Sequence, residues 1–213
     1  MIEKHIVNIG QPRAGTTWLW KCARFDPWLD KENDILMKSL DFDQYVSYYK
    51  QYQVSANFQT NLWCVDQQIV KFVQQHATHI SFIIRNPFDF VERYFDKIHR
   101  EQDPDTLTQY LVSSGYVRYY DIATRWATGA KKFQIFFFED LEHDPKAFFK
   151  EYMAFCQLPV AEIDTFNYNT KVNANPKKEK IKIDFTDDQI DFINHEIDRF
   201  QPLVDRDLTH WKK

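Results

Sequence analysis

Glycine is almost missing from this chain: four in 213 residues. So few leave little backbone freedom for positive-φ turns, yet two of them, Gly10 and Gly15, sit five residues apart near the N-terminus. Cysteine is scarce too. Cys22, Cys64 and Cys156 are odd in number and widely separated, which fits neither a disulfide framework nor metal-ligand spacing and suggests reduced packing residues in a cytosolic protein. No apolar run approaches the ~20 residues that span a bilayer. The opening Met1-Ile2-Glu3-Lys4-His5 lacks a signal peptide's apolar segment. The expectation is therefore a cytoplasmic protein with no membrane partner. An excess of one charge is also absent: 27 Lys+Arg stand against 31 Asp+Glu, a net −4. That argues against nucleic acid as a partner and makes any anion site local. What the chain does have is 44% hydrophobic and 17% aromatic residues. Such a composition suits one globular domain over 1–213.

Along the chain, strand and helix patterns alternate. His5 to Ile9 predicts a strand ending at Gly10, and Thr16 to Phe25 a helix stopped by Asp26-Pro27. Val65 to His76 places Ile69, Phe72, Val73 and His76 at helical spacing, and His79 to Ile84 predicts a strand. Helical patterns follow over Phe88 to Arg100, Asp105 to Ser113 and Tyr116 to Ala127. Phe133 to Phe138 is almost wholly apolar, as expected of a strand at the buried centre of a parallel sheet. Asp144 to Gln157 predicts a helix with Pro145 in its first turn. Thr186-Asp187-Asp188-Gln189 has the form of a capping box opening a last helix. The alternation predicts an α/β protein, a three-layer sandwich around a mainly parallel sheet.

The stretch Gly10-Gln11-Pro12-Arg13-Ala14-Gly15-Thr16-Thr17 follows the first strand and opens the first helix. Backbone N–H groups of such a loop, with a helix N-terminus, converge on a phosphate. The spacing matches G-x-x-x-x-G-K-[ST] except that Thr16 replaces the lysine that pairs with a terminal phosphate. Arg13, inside the loop, offers a cation instead. A plain strand-to-helix turn is the alternative reading of the glycines alone.

The full string Pro12-Arg13-Ala14-Gly15-Thr16-Thr17-Trp18-Leu19 resembles the 5′-phosphosulfate loop of sulfotransferases that use 3′-phosphoadenosine 5′-phosphosulfate. The resemblance implies a phosphosulfate-binding loop in which Pro12, Arg13, Ala14, Gly15, Thr16, Thr17 and Trp18 bind the cofactor, the Gly15-to-Trp18 backbone and the two threonine hydroxyls holding its 5′-phosphate. It puts Arg13 in the place of the catalytic lysine or arginine near the bridging oxygen. An arginine there keeps its charge and cannot readily give up a proton, so it is expected to clamp and not to act as an acid.

Arg85-Asn86-Pro87-Phe88-Asp89 resembles the family's second cofactor segment, whose arginine binds the 3′-phosphate. Arg85 matches it at the end of a predicted strand, where ligands of open α/β sheets bind. Arg93 stands where the family has a serine, and reads either as a second phosphate ligand or as a solvent-facing residue paired with Glu92 or Asp89. Two arginines and a phosphate loop make a two-anion site, which suits an adenosine bisphosphate better than the single phosphate chain of ATP.

Asp30-Lys31-Glu32-Asn33-Asp34-Ile35-Leu36 resembles the segment of bacterial and glycan sulfotransferases whose glutamate is the candidate base, so Glu32 is expected to take the acceptor proton. His5, His76 and His99 are the other candidates for that proton, with His76 also reading as a packing residue. Glu139-Asp140-Leu141 with Asp144-Pro145 resembles a structural block after a strand, and Asp205 to Trp211 a closing segment that packs on the core. Lys177 and Lys178 fall where the family carries a basic loop over the 3′-phosphate, or form an ordinary solvated charge run. Tyr45, Tyr48, Tyr49 and Tyr52 read as acceptor-stacking residues or as packing residues with their polar tips in water. The implied function is sulfuryl transfer from the nucleotide to a hydroxyl or amine of a carbohydrate or other small acceptor, with no metal, and a bacterial or viral origin. A nucleotide phosphotransferase or hydrolase with ATP or GTP and a metal, and a non-catalytic nucleotide-binding protein, are the rivals.

Overall fold

In the computed structural model, residues 4–23, 28–29, 42–60, 62–98, 115–159 and 183–213 are described. The chain divides into two units, Met1–Ile84 with Trp126–Ala174 and Arg85–Arg125 with Asn175–Lys213.

In the first unit, β1 (Lys4–Asn8), β2 (Trp28–Leu29), β3 (Val54–Phe58), β4 (His79–Ile84) and β5 (Phe133–Phe137) form a parallel sheet in the order β2-β3-β1-β4-β5. Between them run α1 (Thr16–Ala23), α2 (Phe42–Tyr49), a 3₁₀ turn at Leu62–Cys64, and α3 (Gln67–His76). From the region after β4 come α4 (Pro87–Ile98) and α5 (Tyr119–Ala127); α6 (Phe138–His143), α7 (Pro145–Phe155) and α8 (Asp187–Phe200) follow β5.

Strand periodicity assigns the two faces. Ile6 on β1, Ala56 and Phe58 on β3, Ile83 on β4 and Phe136 on β5 share one face with Trp18, Leu19 and Cys22 of α1 and Phe148, Phe149 and Tyr152 of α7. The opposite face carries His5 and Ser55, covered by Tyr45 and Tyr49 of α2. Helices on both faces of a parallel sheet are the expected three-layer arrangement. Asp66 caps α3 by accepting from Gln68 and Ile69 N–H, and Asp144 caps α7 by accepting from Lys146 and Ala147 N–H. The Thr186–Gln189 capping box has both of its reciprocal bonds.

Three expectations need correction. Phe133–Phe137 lies at an edge of the sheet among the described residues, not at its centre; only Phe136 and Phe137, on opposite faces of the strand, are buried, while Phe133, Gln134 and Ile135 are half-buried. Tyr45 and Tyr49 are buried to their tips. The Tyr45 hydroxyl meets His5 Nε2 at 2.8 Å and accepts from Asn57 Nδ2 at 3.2 Å, and the Tyr49 hydroxyl meets His76 Nδ1 at 2.8 Å. Cys64 is exposed, whereas Cys22 and Cys156 are buried thiols, both pushed up to about 12 by burial. The segments 99–114 and 24–27 lie outside the described residues, so the Asp105 to Ser113 helix and the Asp26-Pro27 stop do too. Among the described residues no helix is long and apolar enough to cross a membrane.

Two buried histidines, one on each face of the sheet, have an energetic consequence. His5 is buried between Ser55 and Tyr45 and stacked on Tyr49 at 4.0 Å; burial, then the charge of His76, lowers its pKa to about 3. Burial, then Lys132 and Lys4, lowers His79 to about 4. Both values lie below the unfolded 6.5, so the unfolded chain binds more protons in this window. The stability is fully present above pH 6.5 and is lost as pH falls towards 4 and then 3. Each group costs up to about 1.4 kcal/mol per pH unit. Urea unfolding at pH 6.5, 5.5 and 4.5 should show a steep decline, and His5→Gln should flatten it by about one proton's worth. A slope unchanged by that substitution would contradict the assignment.

Candidate functional site

β1 lies between β3 and β4, so successive connections leave it in opposite directions across the sheet. The carboxyl end of such a strand is the topological switch point where open α/β sheets bind ligands. The loop from Ile9 to Gly15 stands there. Its base is pinned by backbone: Ile9 N–H donates to Ser81 C=O at 2.9 Å, Gln11 N–H to Ile83 C=O at 2.7 Å, and Ile83 N–H to Gly10 C=O at 3.0 Å. On the other side Trp63 N–H donates to Ile9 C=O at 2.9 Å. The Gly10–Gln11 peptide is cis.

The tip is a tight turn. Ala14 N–H donates to Gln11 C=O at 3.2 Å, Pro12 takes the second position, and Arg13 takes the third with φ +66°. Proline second and a positive φ third is the type II pattern, in which glycine or asparagine normally fills the third place. Arginine held there is a strained choice, and its side chain is exposed while Gln11, Pro12 and Ala14 are buried. Gly15 follows with φ +81°, and a Cβ on it would lie 2.3 Å from Leu141 Cδ2, so the helix start is seated against α6.

Leu19 N–H closes the first helical bond onto Gly15 C=O at 2.9 Å. The N–H groups of Thr16, Thr17 and Trp18 therefore precede the helical ladder. The first turn of α1 contributes no acidic residue, so its positive dipole end is available to an anion. Thr16 is buried, Thr17 is half-buried, and the Trp18 ring packs 6.4 Å from both Phe148 and Phe149. The Trp18 indole is thus part of the packing between α1 and α7.

The second unit holds Arg85, directly after β4 in the chain. It is 4% exposed, with Nη2 3.5 Å from Asp89 Oδ2, and its carbonyl accepts from the Tyr119 hydroxyl at 3.0 Å. Asn86 Oδ1 accepts from Phe88 N–H at 2.9 Å, and its Nδ2 donates to Trp211 C=O at 3.2 Å. The closing segment is therefore wired to the Arg85-Asn86-Pro87 turn, with Leu208 and Trp211 buried as their apolar character predicts. Arg93 is exposed on α4. Of its suggested partners, Asp89 engages Arg85 and Glu92 engages Lys213 at 3.5 Å.

Residues Pro12 to Trp18 are thus gathered in one loop and helix start of the first unit, and Arg85 and Arg93 belong to the second. Glu32, Lys177, Lys178 and His99 lie outside the described residues. His5 sits three residues before the end of β1, about 10 Å of extended chain from the loop, and both its ring nitrogens are engaged inside the sheet layer. His76 is likewise tied to Tyr49. Sequence reasoning missed Asn8, Gln11 and Gln59, three fully buried polar residues at the carboxyl ends of β1 and β3. Their one legible signal is polarity where an apolar strand end is expected.

Sheet order and loop together define an α/β protein with a phosphate-loop-like architecture. Among solved structures, the sulfotransferase from Alicyclobacillus acidocaldarius matches with a TM-score of 0.67 and 14% identity, covering 100% of both chains. Mouse sulfotransferase SULT7A1, solved in complex with PAP, matches with a TM-score of 0.58 and 15% identity over 94% of this chain and 86% of that one. The chain therefore has the sulfotransferase fold. No family model and no curated protein matches it.

Proposed function

We propose that residues 1–213 work as one sulfotransferase domain that moves a sulfuryl group from 3′-phosphoadenosine 5′-phosphosulfate to a hydroxyl or amine of a carbohydrate or other small acceptor. The observation that carries this reading is the Pro12–Arg13 turn in front of α1. A nucleoside triphosphatase needs a lysine at the position of Thr16, and here that position is a buried threonine while the loop's exposed cation is Arg13. The neighbour solved with PAP supports the same choice of nucleotide.

In this scheme the N–H groups of Gly15 to Trp18 and the Thr16 and Thr17 hydroxyls receive the 5′-phosphate. Arg85 receives the 3′-phosphate, with Arg93, Lys177 and Lys178 adding positive charge. The acceptor oxygen or nitrogen attacks sulfur in line, the bond from sulfur to the bridging oxygen breaks, and its electron pair stays on the departing phosphate. Arg13 and the α1 N-terminus stabilise that charge as it develops. Glu32 takes the acceptor proton. No step calls for a metal. The buried free thiols Cys22 and Cys156 favour a reducing, cytoplasmic setting.

Transfer of radiolabelled sulfuryl from the nucleotide into a panel of sugars, phenols and amines tests the activity. Label in an acceptor supports the proposal, and none across the panel with intact nucleotide binding would favour a non-catalytic nucleotide-binding protein. Glu32→Gln should reduce turnover while largely sparing nucleotide affinity, and wild-type turnover would remove Glu32 from its role. Arg85→Ala should weaken adenosine 3′,5′-bisphosphate binding by about tenfold or more, as expected for loss of a charge-assisted contact. Unchanged affinity would reassign Arg85.

A further inference from the structure

Asn8, the last residue of β1, is fully buried, and both ends of its amide are used. Oδ1 accepts from Gly10 N–H at 3.2 Å, and Nδ2 donates to Ser81 Oγ on β4 at 2.9 Å. Ser81 Oγ lies 3.1 Å from the Tyr152 hydroxyl on α7. Ser81 and Tyr152 are fully buried as well. A hydrogen-bonded chain thus runs from α7 along the sheet face it covers to Gly10. Gly10 has φ +128°, and its carbonyl is fixed by Ile83 N–H. Asn8 fixes the other side of the same residue.

We propose that Asn8 is a positioning residue for the phosphate loop: it holds the Gly10 N–H and so presets the turn that presents Arg13 and the α1 N-terminus, while Ser81 and Tyr152 lock Asn8 itself. The inference rests on the reading of residues 10–18 as a phosphate loop. The chemistry favours asparagine here over its neighbours in size. Gly10 N–H needs an acceptor and Ser81 receives a donor, and one amide supplies both in a single orientation; flipping it would aim NH₂ at an N–H group. An aspartate would offer two acceptors, and leucine neither group. In a buried site each unmade bond is costly, so the members of the chain hold one another in place. Burial pushes the Tyr152 phenol well above its ordinary range, so it stays protonated throughout the working pH range.

A purely structural asparagine would affect melting temperature and nothing else. The test therefore combines calorimetry with adenosine 3′,5′-bisphosphate and amide hydrogen exchange at Gly10 on unliganded protein. The variants are Asn8→Ala, Tyr152→Phe and their double mutant. Asn8→Ala should weaken the bisphosphate about tenfold and speed Gly10 exchange. Tyr152→Phe keeps the ring and its packing, so it keeps the test alive if Asn8→Ala folds poorly. It should weaken binding about twofold, and should add nothing in the Asn8→Ala background because both act through one chain. Wild-type affinity and Gly10 protection in both single variants would overturn the proposal. A wild-type protein that binds no bisphosphate would overturn the cofactor reading instead, and the Gly10 exchange comparison would then decide the Asn8 clamp on its own.

Discussion

Replacing Arg13 with alanine or with glycine should cut sulfuryl transfer by about 10²- to 10³-fold in both cases, yet leave the two variants with different stabilities. The transfer loss follows from removing the cation proposed to meet the departing phosphate, a contribution of the size found for preorganised charge-stabilising groups. The stability difference follows from the backbone. Arg13 is held at φ +66° in the third position of a turn, where an L-residue with a Cβ is strained by about 1 kcal/mol and glycine is not. Arg13→Gly should therefore be about 1 kcal/mol more stable than Arg13→Ala in urea unfolding, while being equally inactive. Arg13→Lys retains charge with a shorter, single-pronged donor and should keep measurable transfer. Equal stability of the alanine and glycine variants would remove the strained-turn argument; full transfer in either would remove Arg13 from the chemistry.

Gly15→Ala should be the most damaging single methyl group in the loop. It meets Leu141 Cδ2 at 2.3 Å, Phe138 stands at 3.4 Å, and the residue has φ +81°. Overpacking and a disfavoured backbone together should cost about 2–4 kcal/mol and weaken bisphosphate binding, because relief of the clash shifts the buried Leu141 side chain or α1's first turn. The clash is with the end of one side chain, so Leu141→Ala should partly rescue Gly15→Ala. The double mutant would then be less destabilised than the sum of the singles. Additive losses would show that the backbone angle, and not the contact, makes Gly15 necessary.

These two residues were legible in the sequence for different reasons. Gly15 stood out because glycine is rare and its spacing from Gly10 is that of a phosphate loop, and Arg13 because it is the cation inside a loop that lacks the usual lysine at position 16. The positive φ of Arg13 had only Pro12 as a hint. His79–Ile84 was readable because all six residues are buried. The burial of β3 was not, since Val54-Ser55-Ala56-Asn57-Phe58 alternates like a half-exposed strand, yet its polar positions Ser55 and Asn57 are buried. Those residues belong inside because His5 and Tyr45, fifty and twelve positions away, supply their hydrogen bonds, and such long-range satisfaction leaves no local pattern. The same holds for Asn8, whose partner Ser81 is 73 residues distant. β5 misled in the opposite direction, because an apolar strand at a sheet edge reads like one at its centre. The base assignment on Glu32 and the basic loop at Lys177 and Lys178 rest on resemblance alone, as those residues lie outside the described part of the chain.

Calorimetric titration of the wild-type chain with adenosine 3′,5′-bisphosphate, run beside ATP with magnesium at the same salt, bears most directly on what the loop recognises. A loop with Arg13 at its tip and no lysine at position 16, together with the proposed role of Arg85 at a separate phosphate, predicts saturable one-to-one binding of the bisphosphate and no response to ATP. Preference for ATP with magnesium would contradict the sulfotransferase reading and restore a nucleotide phosphotransferase or hydrolase in its place.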